Sequence, residues 1–269
     1  MNKTGPKSVK MFVRCMSAVA LSLIILFGTS AGVKADEADA KRILKAMSDY
    51  MAAQKAISFG FDATLEVVTT DEQKLALASS GTLTLNRPDK IRMIRSGGFA
   101  DIEMSFDGKT LTLLGKNRNL YTQLDVPGTI DHLVNELKDT YKRPLPAADL
   151  LLSNSYDEMM RDVNDIKDLG SGVVGGVECD YLAFRTKDVD WQIWIAQGKR
   201  PYPCRYVITS KHLRSGPQYS IQIRDWKTGG EVAAIDFGFK NPTKADKVEL
   251  KDLKGTDALP DHFKKGGTK

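Results

Sequence analysis

The feature that most constrains the fold is a two-residue alternation of side chains that begins near residue 59. From position 59 to 67, apolar residues hold the odd positions, and glycine or polar residues hold the even ones. Residues 75–85 repeat the pattern, which is that of a β-strand with one buried face. Further strand-like runs cover residues 90–95, 102–106, 110–115, 119–124, 177–185, 190–196, 205–211, 219–226 and 232–239. The alternation therefore predicts a largely antiparallel β protein.

Two longer segments have helical spacing instead. Residues 36–56 place apolar side chains three and four positions apart, and residues 130–141 do the same before Pro144 and Pro146 end the pattern. A short helix is expected at 147–152 or 156–161. The apolar stripe of the first helix consists of Ala40, Ile43, Leu44, Met47, Tyr50 and Met51.

Together these elements predict the α+β class, with a curved antiparallel sheet or half-open β-barrel of roughly ten strands. The helices are expected to close its concave side. We interpret residues 36–247 as a single domain and residues 248–269 as a loosely ordered polar tail, because that end is rich in Lys, Asp, Gly and Pro.

The N-terminal segment is typical of an export signal. Basic residues precede a short apolar run at 18–27, and Val33-Lys34-Ala35 supplies a cleavage motif. We therefore predict a signal peptide over residues 1–35, cut between Ala35 and Asp36, and a periplasmic mature protein. The apolar run is about half of the roughly 20 residues that span a bilayer. The mature chain is accordingly expected to have no transmembrane segment.

Charge excludes one class of function. The whole chain has 39 Lys and Arg against 34 Asp and Glu, and five of the basic residues but no acidic ones lie in the signal. The mature chain thus carries as many acidic as basic side chains. Nucleic-acid binding needs a basic footprint on the folded domain, so we expect no nucleic-acid partner.

Two cysteines remain after export, Cys179 and Cys204. A pair in an exported chain favours a disulfide, with two free thiols as the alternative. If both lay flat in the sheet they would be two strand spacings apart, about 9–10 Å. A disulfide permits about 4.4–6.8 Å between Cα atoms. The bridge therefore requires Cys204 to lie in a connection that folds back over the end of the sheet, which Pro201 and Pro203 favour.

The sequence points to no catalytic, metal or cofactor site. Residues 170–175 match GxGxxG, but a strand-like run follows where a dinucleotide site needs a helix, so we interpret them as a turn. His132 and Glu136 have metal-ligand spacing on a helix but no third ligand nearby. No nucleophile can be paired with a base from the sequence alone.

The tryptophans of the 177–196 hairpin are expected to differ in environment. On its second strand, Trp191 shares a face with Ile193 and Ile195, which indicates a core position. Trp194 falls on the other face, between polar neighbours.

The segments 175–195, 201–209 and 217–226, with the Phe-Gly-Phe of 237–239 before Asn241-Pro242, carry a resemblance to a known family. The turn at 87–89 and the run 105–109 add to it. From about residue 38 to 247 the chain resembles the exported bacterial proteins of domain-of-unknown-function family 2092. The resemblance implies a periplasmic location and a fold similar to the lipoprotein carriers LolA and LolB. It implies no catalytic residue, because the activity of the family is unknown.

These observations lead us to expect a non-enzymatic binding or chaperone-like carrier for an acyl chain, a lipid, a lipoprotein or another apolar group. Methionine repacks readily around apolar partners, and Trp194 has no obvious core role. The candidate ligand-binding residues are Met47, Met51, Met159, Met160 and Trp194. The methionines could equally be core residues. The alternatives are an envelope sensor that binds a protein partner, resembling the LolA-like domain of RseB, and a hydrolase.

Overall fold

The computed structural model describes residues 37–98 and 101–253. The predicted signal peptide, its cleavage site at Ala35 and Asp36, and residues 254–269 of the predicted tail lie outside the described residues. The helices are α1 (Glu37–Ala53), α2 (Ile130–Asp139) and α3 (Ser155–Met160), with short 3-10 helices at Lys116–Arg118, Ala148–Leu151, Gly229–Glu231 and Leu250–Asp252. The strands are β1 (Ala56–Val68), β2 (Lys74–Asn86), β3 (Lys90–Gly97), β4 (Ile102–Phe106), β5 (Thr110–Gly115), β6 (Leu120–Asp125), β7 (Asp165–Val174), β8 (Val177–Arg185), β9 (Val189–Ala196), β10 (Pro203–Ser210), β11 (Gln218–Thr228) and β12 (Asp246–Lys247).

All twelve strands form one curved sheet in the order β12-β6-β5-β4-β3-β2-β1-β11-β10-β9-β8-β7. Neighbouring strands are antiparallel except β12, which pairs in parallel with β6. The sheet is open, because β12 and β7 are its two edges. The predicted fold class is confirmed, with twelve strands in place of roughly ten.

The alternation on β1 decides which face of the sheet is buried. Phe59, Phe61 and Ala63 point into one large core and are each less than 7% exposed, whereas Asp62 is exposed. The stripe of α1 packs into the same core through Ala40, Leu44, Met47 and Met51. We call this face of the sheet the helix-facing side.

The second helical region forms α2 and adds to the same core through Ile130, Leu133 and Leu137. The hydroxyl of Thr129 caps it by accepting a hydrogen bond from the His132 amide. The helix ends at Asp139, before the two prolines. Beyond them, both alternatives for a short helix are realised, as the 3-10 helix Ala148–Leu151 and as α3.

The strand predicted at 232–239 is wrong. In the structure β11 already lies between β1 and β10, so no free edge is left beside it for the next segment. Residues 232–245 run instead towards the far edge of the sheet. Arg92 donates a hydrogen bond to the Asp236 carbonyl oxygen at 3.4 Å, and the rings of Phe239 and Tyr121 lie 4.9 Å apart. The segment 232–239 therefore packs against the sheet, despite its strand-like alternation, without becoming a strand of it.

Packing continues past the predicted domain boundary at residue 247. The Val248 amide donates to the Tyr121 carbonyl oxygen at 2.8 Å, and Leu253 is 2% exposed. Among residues 37–98 and 101–253, every helix is too short or too polar to cross a bilayer.

Gly81 on β2 leaves room for the ring of Phe61, its Cα partner on β1. A Cβ added at Gly81 would lie 2.2 Å from the Ile94 carbonyl oxygen and 2.4 Å from the Phe61 ring. We expect Gly81→Ala to lower the free energy of unfolding by about 1–3 kcal/mol, because strand and ring must move apart. Urea denaturation followed by circular dichroism measures the loss. Gly230→Ala is the control, since nothing lies within 4 Å of its added Cβ; equal losses in both variants would contradict the prediction.

Candidate ligand-binding site

One end of the helix-facing side carries a row of residues that lie side by side on adjacent strands. Each member is the Cα partner of the next, so the row crosses six strands at one level of the sheet. We call it the apolar row. From β2 to β8 it consists of Leu77, Leu65, Tyr219, Ile208, Trp191 and Phe184.

Exposure changes along the apolar row. Phe184 and Trp191 are each 3% exposed, Ile208 and Tyr219 are partly exposed, and Leu65 is 41% exposed. Four large hydrophobic side chains are exposed among the described residues, and Leu65 is the one on an interior strand. The others are Leu169 and Val173 on edge strand β7, and Leu213 in the β10–β11 connection. The row therefore leads from the covered core to apolar surface that the helices leave open.

Aromatic stacking holds the buried end of the row. The rings of Phe184 and Trp191 stack with centroids 3.9 Å apart, and Trp191 meets Tyr206 edge to face at 5.8 Å. Trp191 is thus a core residue, as its register predicts. Such contacts add about 0.5–1.5 kcal/mol beyond the burial of apolar area. This end of the row is accordingly tightly packed core.

A polar pair lies next to the row in the interior. The Tyr206 hydroxyl donates to Asp149 Oδ2 at 3.0 Å, and the Leu150 amide donates to Asp149 Oδ1 at 3.2 Å. Burial raises the pKa of the Asp149 carboxyl, and burial and then the nearby Asp149 raise the pKa of Tyr206. The pair fastens the 3-10 helix Ala148–Leu151 to β10 and so fixes one border of the open surface.

The row also contains a perturbed phenol. Burial raises the pKa of Tyr219 to about 12, while the cation of Arg95 opposes this shift. Arg95 belongs to β3 and lies two positions from Met93, a residue that packs against the core. By strand alternation both side chains point to the helix-facing side. A positive charge therefore lies near the partly exposed part of the row.

The structure does not bring the five candidate ligand-binding residues together. Met47, Met51 and Met159 are at most 4% exposed within the main core, and Met160 packs against that core. Trp194 lies in a separate cluster on the opposite face of the sheet. The methionines occupy core positions, because the stripe of α1 faces the core and α3 packs against α1 and the 3-10 helix Ala148–Leu151.

Sequence reasoning misses the open part of the row. Leu65 belongs to the β1 alternation, which places it on the buried face together with Phe61 and Ala63. The structure places Leu65 on the face of the sheet that the alternation predicts. Its exposure depends on which distant elements pack over β1, and no local pattern in the sequence carries that information.

The opposite face has a different chemistry around Trp194. Its ring stacks on Tyr181 with centroids 4.2 Å apart, and the Arg205 guanidinium lies 5.4 Å from it. On the neighbouring strands β11 and β1, Gln222 and Asp62 lie at the same level as Arg205. A polar groove of about 240 Å³ includes these side chains. Its lining consists of Asp62, Ala63, Thr64, Ala78, Ser79, Ser80, Arg205, Ser220 and Gln222.

Near the end of the same face, Cys179 and Cys204 are buried, with free thiols. They share a small cluster with Trp194. The disulfide between them stays a prediction at this point.

The other motifs have structural explanations. Residues 170–174 are the last part of strand β7, and of this motif only Gly175 lies in the β7–β8 turn, where it has positive φ. The turn interpretation is thus wrong for residues 170–174 and correct for Gly175. In the part of the chain that the structure describes, no group of three or more His, Cys, Asp or Glu side chains could hold a metal ion.

Residues 40–251 match the model of a family described as "Predicted periplasmic protein (DUF2092)". The chain belongs to this family. The recognition made from the hairpin and turn motifs is confirmed, and so is the periplasmic location that residues 1–35 predict. No curated protein gives a significant match to this DUF2092 chain.

Several solved structures are similar to this DUF2092 protein. An uncharacterized conserved protein from Thermus thermophilus has 11% identity and a TM-score of 0.45, and the match covers 78% of this chain and 99% of that one. Lipoprotein LppX from Mycobacterium tuberculosis has 11% identity and a TM-score of 0.39, with 75% and 100% covered. LolA superfamily protein NE2245 from Nitrosomonas europaea has 13% identity and a TM-score of 0.33, with 74% and 97% covered.

The raised pKa of Asp149 predicts a pH effect on stability. Between its ordinary pKa of 3.8 and the raised folded value, the folded state holds a proton that the unfolded state has released. The stability from this group is complete below the unfolded pKa and is lost as pH rises through the folded pKa. We therefore expect the stability of the wild type, relative to Asp149→Asn, to fall as pH rises.

Urea unfolding of both proteins from about pH 4 to about pH 8 measures this difference and cancels the groups that they share. Asparagine cannot titrate, so the variant has no slope from this position. A difference between the two proteins that is independent of pH would contradict the assignment.

Proposed function

We propose that this protein is a non-enzymatic periplasmic binding protein that takes an acyl chain, a lipid or another apolar group along the apolar row. The observation that carries the proposal is the open part of the row on interior strands of the sheet. There Leu65 is 41% exposed, and Tyr219 and Ile208 are partly exposed. Apolar surface held on interior strands at the border of a core is what an apolar ligand needs.

The energetics suit a chain-like ligand. Burying one leucine side chain contributes about 1.5–3 kcal/mol, and each buried methylene of a ligand contributes about 0.8 kcal/mol. An acyl chain laid across β1, β11 and β10 would cover Leu65, Tyr219 and Ile208 together. Because strands hold these side chains at fixed spacings, little ordering is required on binding.

The methionines enter this proposal as core residues beside the row. Met47 and Met51 are at most 1% exposed, so a ligand reaches them after the core has opened, whereas it reaches Leu65 directly. The site is therefore proposed on the sheet and not beneath α1.

A charge introduced into the open part of the row tests the proposal. We expect Leu65→Arg to weaken binding of a fatty acid by about 10–100-fold, because it removes the apolar contact and buries a cation under the chain. Titration with a brominated fatty acid measures this through tryptophan quenching, since Trp191 is the row neighbour of Ile208. The Trp194→Phe variant should keep the quenching, because Trp194 lies on the opposite face.

Val173→Arg is the matched control for binding. Val173 is 69% exposed at the far end of edge strand β7, so the variant introduces the same charge on apolar surface away from the row. Met51→Leu conserves volume and should leave the affinity unchanged. Equal affinity of Leu65→Arg and wild type, or loss of binding in Met51→Leu, would overturn the placement of the site.

A second candidate function, binding of an envelope protein, is favoured by strand β7. It is an edge of the sheet and exposes Leu169 (45%) and Val173 (69%). An edge strand with free backbone groups and exposed apolar side chains can pair with an extended segment of another protein.

Mutations can distinguish the two candidate functions. If β7 binds a partner, Leu169→Arg with Val173→Arg should abolish cross-linking to that partner in the periplasm, while Leu65→Arg leaves it intact. Cross-linking followed by mass spectrometry measures both. A partner that is retained by the β7 variant and lost in Leu65→Arg would assign partner binding to the row instead.

A further inference from the structure

We propose that Cys179 and Cys204 form a disulfide in the exported protein, joining β8 to β10 across β9. The obstacle to this bridge is strand spacing, because residues on β8 and β10 that lie level in a flat sheet are about 9–10 Å apart. Cys179 pairs with Ala196 on β9, so the second cysteine must leave its own ladder to approach it.

A β-bulge at the start of β10 supplies this displacement. Pro203 pairs with Ile195 and Arg205 pairs with Trp194, so Cys204 is an extra residue with no partner on β9. Such a residue leaves the ladder, and the strand bends around it. The Ala196 amide donates to the Tyr202 carbonyl oxygen at 2.9 Å, which closes the β9–β10 connection directly before the bulge. Cys204 therefore lies in a bulge of strand β10 and not in the folded-back connection that the sequence predicts.

The two cysteines are buried in one small cluster. Cys179 is 0% and Cys204 1% exposed, and their cluster also contains Val174 and Ala196. Burial is the main cause that raises the pKa of Cys204, and the neighbouring Cys179 thiol is the next. Ala196, the Cα partner of Cys179, has a small side chain and so puts little bulk on the strand that the bridge must cross.

The location favours oxidation of this pair. The family is periplasmic, and closely spaced cysteines in that compartment become oxidised. Within the described residues the two cysteines belong to no group of three or more side chains that could hold a metal ion.

The reaction is a thiol–disulfide exchange with an oxidised dithiol protein of the periplasm. One cysteine thiolate attacks the donor disulfide, forms a mixed disulfide and releases one donor thiolate. The second cysteine thiolate then attacks the mixed disulfide, forms the Cys179–Cys204 bond and releases the second donor thiolate. The chain loses two electrons and two protons, and the donor disulfide is reduced to a dithiol.

The burial of the pair sets the order of events. In the folded protein both sulfur atoms are closed off and their pKa values are raised, so neither forms an accessible thiolate. The bond therefore forms while the chain folds, before the β8–β10 end closes. Once formed, it is shielded from reductants in the same way.

Peptide mapping tests the proposal on the wild-type protein. The protein is exported, purified, unfolded in denaturant with an alkylating agent present so that any free thiol reacts, and digested without reductant. The expected result is a linked peptide that joins the segments containing Cys179 and Cys204. Alkylation of both cysteines in most molecules would overturn the proposal, and this measurement needs no variant to fold.

Thermal unfolding provides the second measurement. The oxidised protein should unfold about 6–12 °C above the same protein refolded with reductant, because the bond constrains the unfolded chain. Cys179→Ala with Cys204→Ala is the control, and its unfolding temperature should not respond to reductant. Equal unfolding temperatures for oxidised and reduced wild type would show that no bond is present.

Discussion

The structure depends on the burial of one face of a wide open sheet. Phe59, Phe61 and Ile223 can leave water because they share one core with buried residues of α1, α2 and α3. Three short helices cannot cover every level of twelve strands. The helix-facing side therefore changes from core to surface along the apolar row, where Leu65 is 41% exposed. The open apolar surface results from how the core is built.

The opposite face is divided between two kinds of cover. Beside β3 and β6 it is met by the segment after β11, through Arg92 with Asp236 and Tyr121 with Phe239. Between β8 and β1 it carries the stacked ring of Trp194 and polar side chains. Apolar ligand binding and the cysteine pair are thus assigned to different faces and opposite ends of the sheet. Variants at Leu65 and at Cys179 consequently report on separate properties.

The sequence predicts the parts of this fold that depend on local period. The β1 alternation identifies the buried face, and the register of β9 separates Trp191 from Trp194. Features that depend on which strands are neighbours could not be predicted from the sequence. The run 232–239 has a strand pattern but follows a strand with both edges occupied. The bulge at Cys204 becomes visible when Pro203 and Arg205 are paired with β9. The exposure of Leu65 similarly depends on which distant elements pack over β1.

A ligand could bind on the apolar row or beneath the methionines of α1. The cost of opening the core decides between these two places. Met47 and Met51 are at most 1% exposed and share a core with Leu44. A ligand beneath α1 would have to displace such side chains, and moving one buried methionine side chain into water costs about 1.5–3 kcal/mol. A ligand on Leu65 and Ile208 displaces water alone and covers apolar surface that is already exposed. The free-energy difference favours the row, and it grows with every methionine that a ligand beneath α1 would have to move.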